Sequence, residues 1–435
     1  MPYNRNGRTY FEVFSSISKK LLDYTNFLGY NSNRGDVMIL RPDYINAIEP
    51  FIDSPVVKIL AGVRRCGKST ILEMVAAELE KRGVAKENII ERRYSEIMYD
   101  DFSAKEMYSD IKTAISDKGR CYLLLDELQE IKGWEKVVND LLENSDVDIY
   151  VTGSNSKLMS SEISTYLTGR YVTIPVYTLS LREYLTFKNK DESQAREVFD
   201  EYVQYGGFPL VGISSFDTKS AYQIVDGIYA SVITRDISKR HKLRNKELFD
   251  RVVRYVIENV GMTFSANTIV KYLKSENRSL SVETIYNYLK WLGEAFIIYP
   301  CQRYDLQGKA VLKTQEKYYL SDISIKYSQM GFDTKMLSAV FENIVYLEMK
   351  RRGYEVYIGK NNTKEIDFVA VRRDERIYVQ VCVQLPDGSD RETANLMDIK
   401  DHYHKYVVCR DPLALGNDNG IEIVHIADFL MRDNW

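Results

Sequence analysis

At 435 residues the chain exceeds what one hydrophobic core organises, and two or three domains are expected. Its 59 Lys and Arg stand against 62 Asp and Glu, a net charge of −3, so no global field draws it onto nucleic acid or an anionic membrane. No run reaches the ~18 apolar residues of a membrane helix or forms a signal-peptide core, and the scattered Cys66, Cys121, Cys301, Cys382 and Cys409 suit neither a disulfide framework nor a zinc site, which points to a reducing cytoplasm.

Residues 1–37 hold a helix-like stretch, Phe11 to Phe27, and the turn-rich segment Gly29 to Asp36. They read as an N-terminal extension that the fold does not need, or as the product of an upstream start. A first domain is expected over 38–210. There the apolar run Val56 to Ala61 predicts a buried strand and Thr70 to Arg82 a helix, with Gly-Val-Arg-Arg-Cys-Gly-Lys-Ser from Gly62 to Ser69 between them. This is a complete G-x-x-x-x-G-K-[ST] loop in the strand-to-helix context that lets backbone N–H groups and a helix N-terminus face phosphates. Binding of ATP is therefore expected, lined by Gly62, Arg65, Cys66, Gly67, Lys68, Ser69 and Thr70. Lys68 would reach the β- and γ-phosphates, and the Ser69 hydroxyl would hold Mg²⁺.

Asn88 to Tyr94 predicts a second strand, and Tyr122 to Glu127 a third that ends in adjacent carboxylates. An Asp-Glu pair also suits a helix N-cap and first turn, but a Leu-rich strand delivers its carboxyl end to a ligand crevice. Asp126 is read as the Mg²⁺ support and Glu127 as the base that orients the attacking water. A fourth strand, Asp148 to Asn155, ends in Ser154 and Asn155, read as sensors of the γ-phosphate; Gly-Ser-Asn is also good turn chemistry. After a helix from Leu158 to Tyr166, Thr168-Gly169-Arg170-Tyr171 opens a fifth strand. Arg170 reads either as a catalytic arginine finger or γ-phosphate sensor, or as a structural partner of a nearby carboxylate. Helices from Leu179 to Phe187 and Ala195 to Tyr205 lead to the break Gly206-Gly207-Phe208-Pro209.

Residues 211–330 read as helical. Tyr222 to Leu243 runs into the densest basic cluster, Arg235 to Lys246, followed by helices Leu248–Val260, Ser265–Leu273 and Ser281–Leu292. Ser265 and Ser281 are expected N-caps, and Val282, Ile285, Tyr286, Leu289 and Leu292 recur at helical spacing. With Ala295–Tyr299 and Lys317–Leu320 as paired wing strands, the order is that of a winged helix, read as a packing module rather than a DNA reader. A last domain over 331–435 is expected to hold a helix from Phe341 to Arg352, four strands and a helix near Arg391 to His402.

Gly62 to Ser69, Leu123 to Glu127, Gly153-Ser154-Asn155 and Thr168 to Tyr171 together resemble a group of prokaryotic AAA-type ATPases that carry a C-terminal domain of unknown function. The resemblance spans Met38 to the C-terminus. It implies an α/β fold, a P-loop parallel sheet with helices on both faces, followed by the winged helix and a small restriction-endonuclease-like unit of PD-(D/E)xK type. That pattern asks for a helix acid, a strand Asp and an E-x-K. Glu342 and Asp367 match the first two, but the third reads Gln380-Val381-Cys382, which leaves two carboxylates and no cation. The implied function is Mg²⁺-dependent ATP hydrolysis driving a conformational switch toward a protein partner. The alternative is a DNA- or RNA-processing ATPase that uses the end domain to bind or cut.

Overall fold

Apolar runs of strand length recur between amphipathic stretches in the first half of the chain, and such runs bury both faces only in a sheet covered by helices. The computed structural model shows this arrangement and describes residues 28–30, 37–159, 166–241, 243, 245–308, 310–385 and 391–435. The expected helix Phe11 to Phe27 and most of that from Leu158 to Tyr166 lie outside the described residues. Among the described residues two compact units are present: those up to Ala61, within Gly67–Gly153 and within Leu158–Ile174 form one, and those within Gly62–Cys66, Ser154–Lys157 and Pro175–Trp435 the other.

In the first unit, β1 (Val57–Ala61) is buried at every position and α1 (Lys68–Lys81) follows the loop. Next come β2 (Ile89–Arg93), α2 (Ala104–Ala114), β3 (Cys121–Asp126), α3 (Trp134–Asn144), β4 (Val147–Gly153) and β5 (Tyr171–Pro175). A capping box at Ser103 starts α2 by satisfying free backbone donors. The five strands lie in the order β2-β3-β4-β1-β5. β4 sits between β1 and β3 and is parallel to both, with Ala61 opposite Gly153 and Leu125 opposite Val151. The carboxyl ends of β1, β3 and β4 thus meet at one edge, where an open α/β sheet binds its ligands. One departure from the apolar reading of β1 is Lys58, fully buried in an ion pair with Asp148 of β4. Tyr150 Oη and Asp53 N also donate to Asp148, at 2.8 and 2.9 Å, so the pair is saturated rather than stranded.

The second unit holds α4 (Leu181–Phe187), α5 (Ala195–Tyr205), α6 (Thr218–Ser231), a π-helical segment Val232–Ser238, α7 (Lys246–Glu258), α8 (Ala266–Ser275) and α9 (Val282–Glu294). Then follow β6 (Ile298–Asp305), β7 (Ala310–Leu320), α10 (Ser324–Met330), α11 (Leu337–Arg351), β8 (Glu355–Asn361), β9 (Lys364–Arg372) and β10 (Glu375–Val381). The chain closes with α12 (Arg391–Met397), β11 (His404–Cys409), β12 (Gly416–Asp418), β13 (Ile421–His425) and α13 (Ile426–Met431). Ser265 and Ser281 cap their helices as expected, each accepting from the backbone N–H three residues on. On α9, however, Tyr286 is 57% exposed and Tyr288 is the buried ring.

The strands form one sheet in the order β12-β13-β11-β10-β9-β8-β6-β7. The hairpin β6–β7 pairs antiparallel, as two wing strands would, yet β6 also runs parallel to β8 with Arg303 opposite Ile358. The division expected at 330/331 therefore crosses a continuous sheet. Residues beyond Ile174 also group with this second unit, rather than from residue 211 on. The reason is packing: Phe199 of α5 meets Phe341 and His425, ring centres 5.5 and 6.5 Å away, and Arg196 Nε donates to Asp428 of α13 at 2.9 Å.

Candidate functional site

Gly67 stands at φ 102°, a left-handed conformation that glycine adopts without strain, and turns the chain directly into α1. Lys68 is then buried in the first turn, and Ser69 Oγ donates to Asp126 at 3.0 Å to Oδ1 and 2.8 Å to Oδ2. The loop serine and the carboxylate at the end of β3 are 57 residues apart in sequence and in direct contact in the fold. Burial pushes the Asp126 carboxyl up; the Thr152 and Ser69 hydrogen bonds and Lys68 pull it the other way. A hydroxyl and a buried carboxylate beside an ammonium form a hard-oxygen donor set that fits Mg²⁺ and a phosphate chain.

Thr152, one residue short of the end of β4, ties this corner together. Its Oγ1 donates to Asp126 Oδ1 at 2.5 Å and accepts the Glu127 backbone N–H at 2.9 Å. Glu127 is buried, sits at φ 53° and accepts a hydrogen bond from Gln129 Nε2. A left-handed glutamate costs about 1 kcal/mol, a strain that tertiary structure must hold in place. Neither Thr152 nor Gln129 is a sequence-predicted site residue. The only available signal is that Thr152 is a polar residue next to the carboxyl end of a buried strand.

Of the remaining predicted phosphate-contacting residues, Gly62, Arg65, Cys66, Ser154 and Asn155 belong to the second unit and Thr70 to the first. Gly62 has no room for a side chain, since a Cβ would stand 2.0 Å from the Val176 carbonyl oxygen, and Cys66 Sγ donates to that same oxygen at 3.4 Å. Arg65 is exposed at φ 69°, whereas Ser154 and Asn155 are buried. Arg64, between Gly62 and Arg65 in the motif, forks onto Asp236 of the π-helical segment, which Ser154 Oγ also meets at 2.9 Å. Asp236 hides in the sequence as a single acid inside the basic cluster. Thr70 follows Ser69 in the first turn of α1 and is half-buried.

Arg170 is elsewhere. Its carbonyl accepts from the N–H of Val57, the first residue of β1, so it borders the end of that five-residue strand opposite the loop, about 16 Å away by strand rise. Its guanidinium donates to Glu143 at 2.6 Å and Asn139 at 2.8 Å, both on α3. The side chain is engaged with α3, away from the chain's own phosphate loop, which is the arrangement of the structural-partner reading.

In the second unit, Glu342 of α11 and Asp367 of β9 do converge, and the expected absence of a cation is corrected. Lys317 of β7 places its ammonium 3.2 Å from Glu342, 3.1 Å from Glu365 and 4.0 Å from Asp367. Burial draws the Lys317 ammonium down, but Glu342, Asp367 and Glu365 outweigh it and hold its pKa up. Burial pushes both Glu342 and Asp367 up against the pull of Lys317. Gln380 Oε1 accepts the Asp367 backbone N–H at 3.3 Å, and Lys364 is drawn off to Asp398 at 2.7 Å. Among the described residues no group of His, Cys, Asp and Glu is arranged to hold a metal ion, and no helix is long and apolar enough to cross a membrane.

A family model described as an AAA domain matches residues 54–185, and one described as a domain of unknown function (DUF8612) matches 196–336. An uncharacterized protein of Haemophilus influenzae is 36% identical over 400 residues, covering 91% of this chain and 99% of its own length. One of Methanocaldococcus jannaschii is 29% identical over 392 residues, covering 86% and 85%. Among solved structures, a Walker-type ATPase of Pyrococcus abyssi aligns with 68% of this chain and 96% of its own at 17% identity and a TM-score of 0.47.

Proposed function

We propose that this chain, which belongs to one family with the uncharacterized Haemophilus influenzae protein and matches an AAA domain over 54–185, binds ATP with Mg²⁺ and hydrolyses it to drive a conformational switch toward a protein partner. The contact that carries the reading is Ser69 Oγ on both oxygens of Asp126, which joins the phosphate loop to the carboxylate strand. In this reading Lys68 and the first N–H groups of α1 bind the phosphates, while Ser69 and Asp126 hold the metal. The bound Mg²⁺ supplies charge neutralisation at the transferring phosphoryl group. Glu127, fixed by Thr152 and Gln129, takes a proton from the attacking water, and Ser154 and Asn155 contact the γ-phosphate. Arg170 holds α3 to the sheet.

Lys68→Ala removes a charge-assisted phosphate contact, whereas Glu127→Gln leaves the binding surface in place. The first is expected to abolish binding of a fluorescent ATP analogue. The second is expected to bind normally and turn over at least ~10²-fold more slowly, the scale of a lost general base. Wild-type turnover in Glu127→Gln would remove that residue from the mechanism.

A further inference from the structure

Asp236 lies in the π-helical segment Val232–Ser238 and is 2% exposed. One oxygen accepts Arg64 Nε at 3.0 Å; the other accepts Arg64 Nη2 at 3.2 Å and Ser154 Oγ at 2.9 Å, with Arg240 Nη2 at 3.5 Å. A single buried carboxylate thus grips two loops that lie far apart in sequence. Arg64 is the third residue of the phosphate-loop motif, and Ser154 is the first residue after β4. These same short segments, Gly62–Cys66 and Ser154–Lys157, group with the second unit while the strands that launch them belong to the first. The bidentate guanidinium fork is directional, so a shift of either loop is transmitted to Asp236 instead of being absorbed by a loose contact. The receiving element is unusual as well. α6 gives way at Val232 to π-helical turns, a spacing that is costly in a plain helix and concentrates at functional positions.

We infer that Asp236 is a positioning residue that sets the phosphate loop and Ser154 in one frame and carries nucleotide occupancy into the helical segment 232–240; the inference rests on the ATP-binding reading above. Phosphates bind the loop in the position that Asp236 holds through Arg64, and any displacement of the loop on binding is passed back through the same fork to Asp236.

The test uses the full chain with Mg²⁺ and a fluorescent ATP analogue, together with hydrogen exchange of peptides spanning 232–240 with and without Mg-ATP. In the wild type, ATP is expected to change exchange in this segment by about 5-fold or more. Asp236→Asn is expected to bind about 10-fold more weakly and to lose the exchange response. The double variant Arg64→Ala/Asp236→Asn should bind no more weakly than Arg64→Ala, because both changes break one link. Losses that add, or an exchange response kept in Asp236→Asn, overturn the inference. If Asp236→Asn does not fold, Arg64→Ala and Ser154→Ala serve instead: a blunted response in each supports the link, and a full response in both overturns it. A wild type that binds ATP without any response in 232–240 sinks this inference alone. A wild type that binds no ATP sinks it together with the reading on which it rests.

Discussion

Lys326 of α10 is 3% exposed, with its Nζ donating to the Glu258 carbonyl at 3.2 Å. Burial pushes its pKa down from 10.5 to about 8, against weaker pulls from Glu258 and Asp333. Because the folded pKa lies below the unfolded one, the unfolded chain holds this proton more tightly. The lysine's contribution to stability is therefore present above about pH 10.5 and lost as pH falls through 8. Urea unfolding of wild type and Lys326→Met across pH 7 to 11 isolates it: the variant should gain about 3 kcal/mol on the wild type at the low end, shrinking toward the high end. A difference that stays flat with pH would refute the burial penalty. The same residue scale shows what was legible in the sequence. Lys68, Ser69, Asp126 and Glu127 are readable because their roles depend on local spacing within strand-to-turn segments. Thr152, Asp236 and Lys317 are not, since each matters through a partner 26, 172 or 25 residues away.

Single elements carry the next layer. The strand runs and helix starts follow from local rules, so the parallel sheet and the Ser265 and Ser281 caps were foreseeable. Which ring of α9 faces inward was not, because Tyr286 and Tyr288 both fit a loose helical stripe and tertiary packing chose the second. β7 makes the same point with chemical consequence: as a wing strand it would hold no chemistry, but at the edge of the sheet it delivers Lys317 to three carboxylates. Removing that ammonium strands buried charge. Lys317→Met should therefore destabilise the protein by about 3–5 kcal/mol at neutral pH, the scale for one half of a buried pair. The sign with pH follows from the carboxyls. Glu342 and Asp367 already have raised pKa values, so the stability they confer is present in acid and lost as pH rises through those values. The variant's deficit should then grow from pH 4 to pH 8 in chemical denaturation. A deficit independent of pH would mean that Lys317 acts by packing alone.

For the whole molecule, the relevant quantity is charge and where it is spent. With 59 basic against 62 acidic residues, non-specific affinity for a polyanion has to come from a local patch, and the basic cluster from Arg235 to Lys246 is the candidate. Part of that patch is already engaged: Arg240 faces Asp236 at 3.5 Å, and His241 meets Glu294 at 3.2 Å while stacking on Trp291 at 4.4 Å. A phosphate backbone would have to displace those partners, and the cost of breaking each contact offsets the gain from counterion release. In the C-terminal sheet, the ammonium of Lys317 stands among the acids where a divalent ion would need oxygens at about 2.0–2.6 Å. ATP turnover of the full chain is accordingly expected to change by less than about 2-fold on adding duplex DNA, single-stranded DNA or RNA at 0.15 M salt. The same substrates, linear or circular, should remain intact with Mg²⁺ or Mn²⁺. Asp367→Ala is the control. Turnover that rises tenfold with nucleic acid, or cleavage that disappears in Asp367→Ala, would transfer the protein to the nucleic-acid-processing class and make Lys317 a participant in phosphodiester chemistry instead of a substitute for the metal.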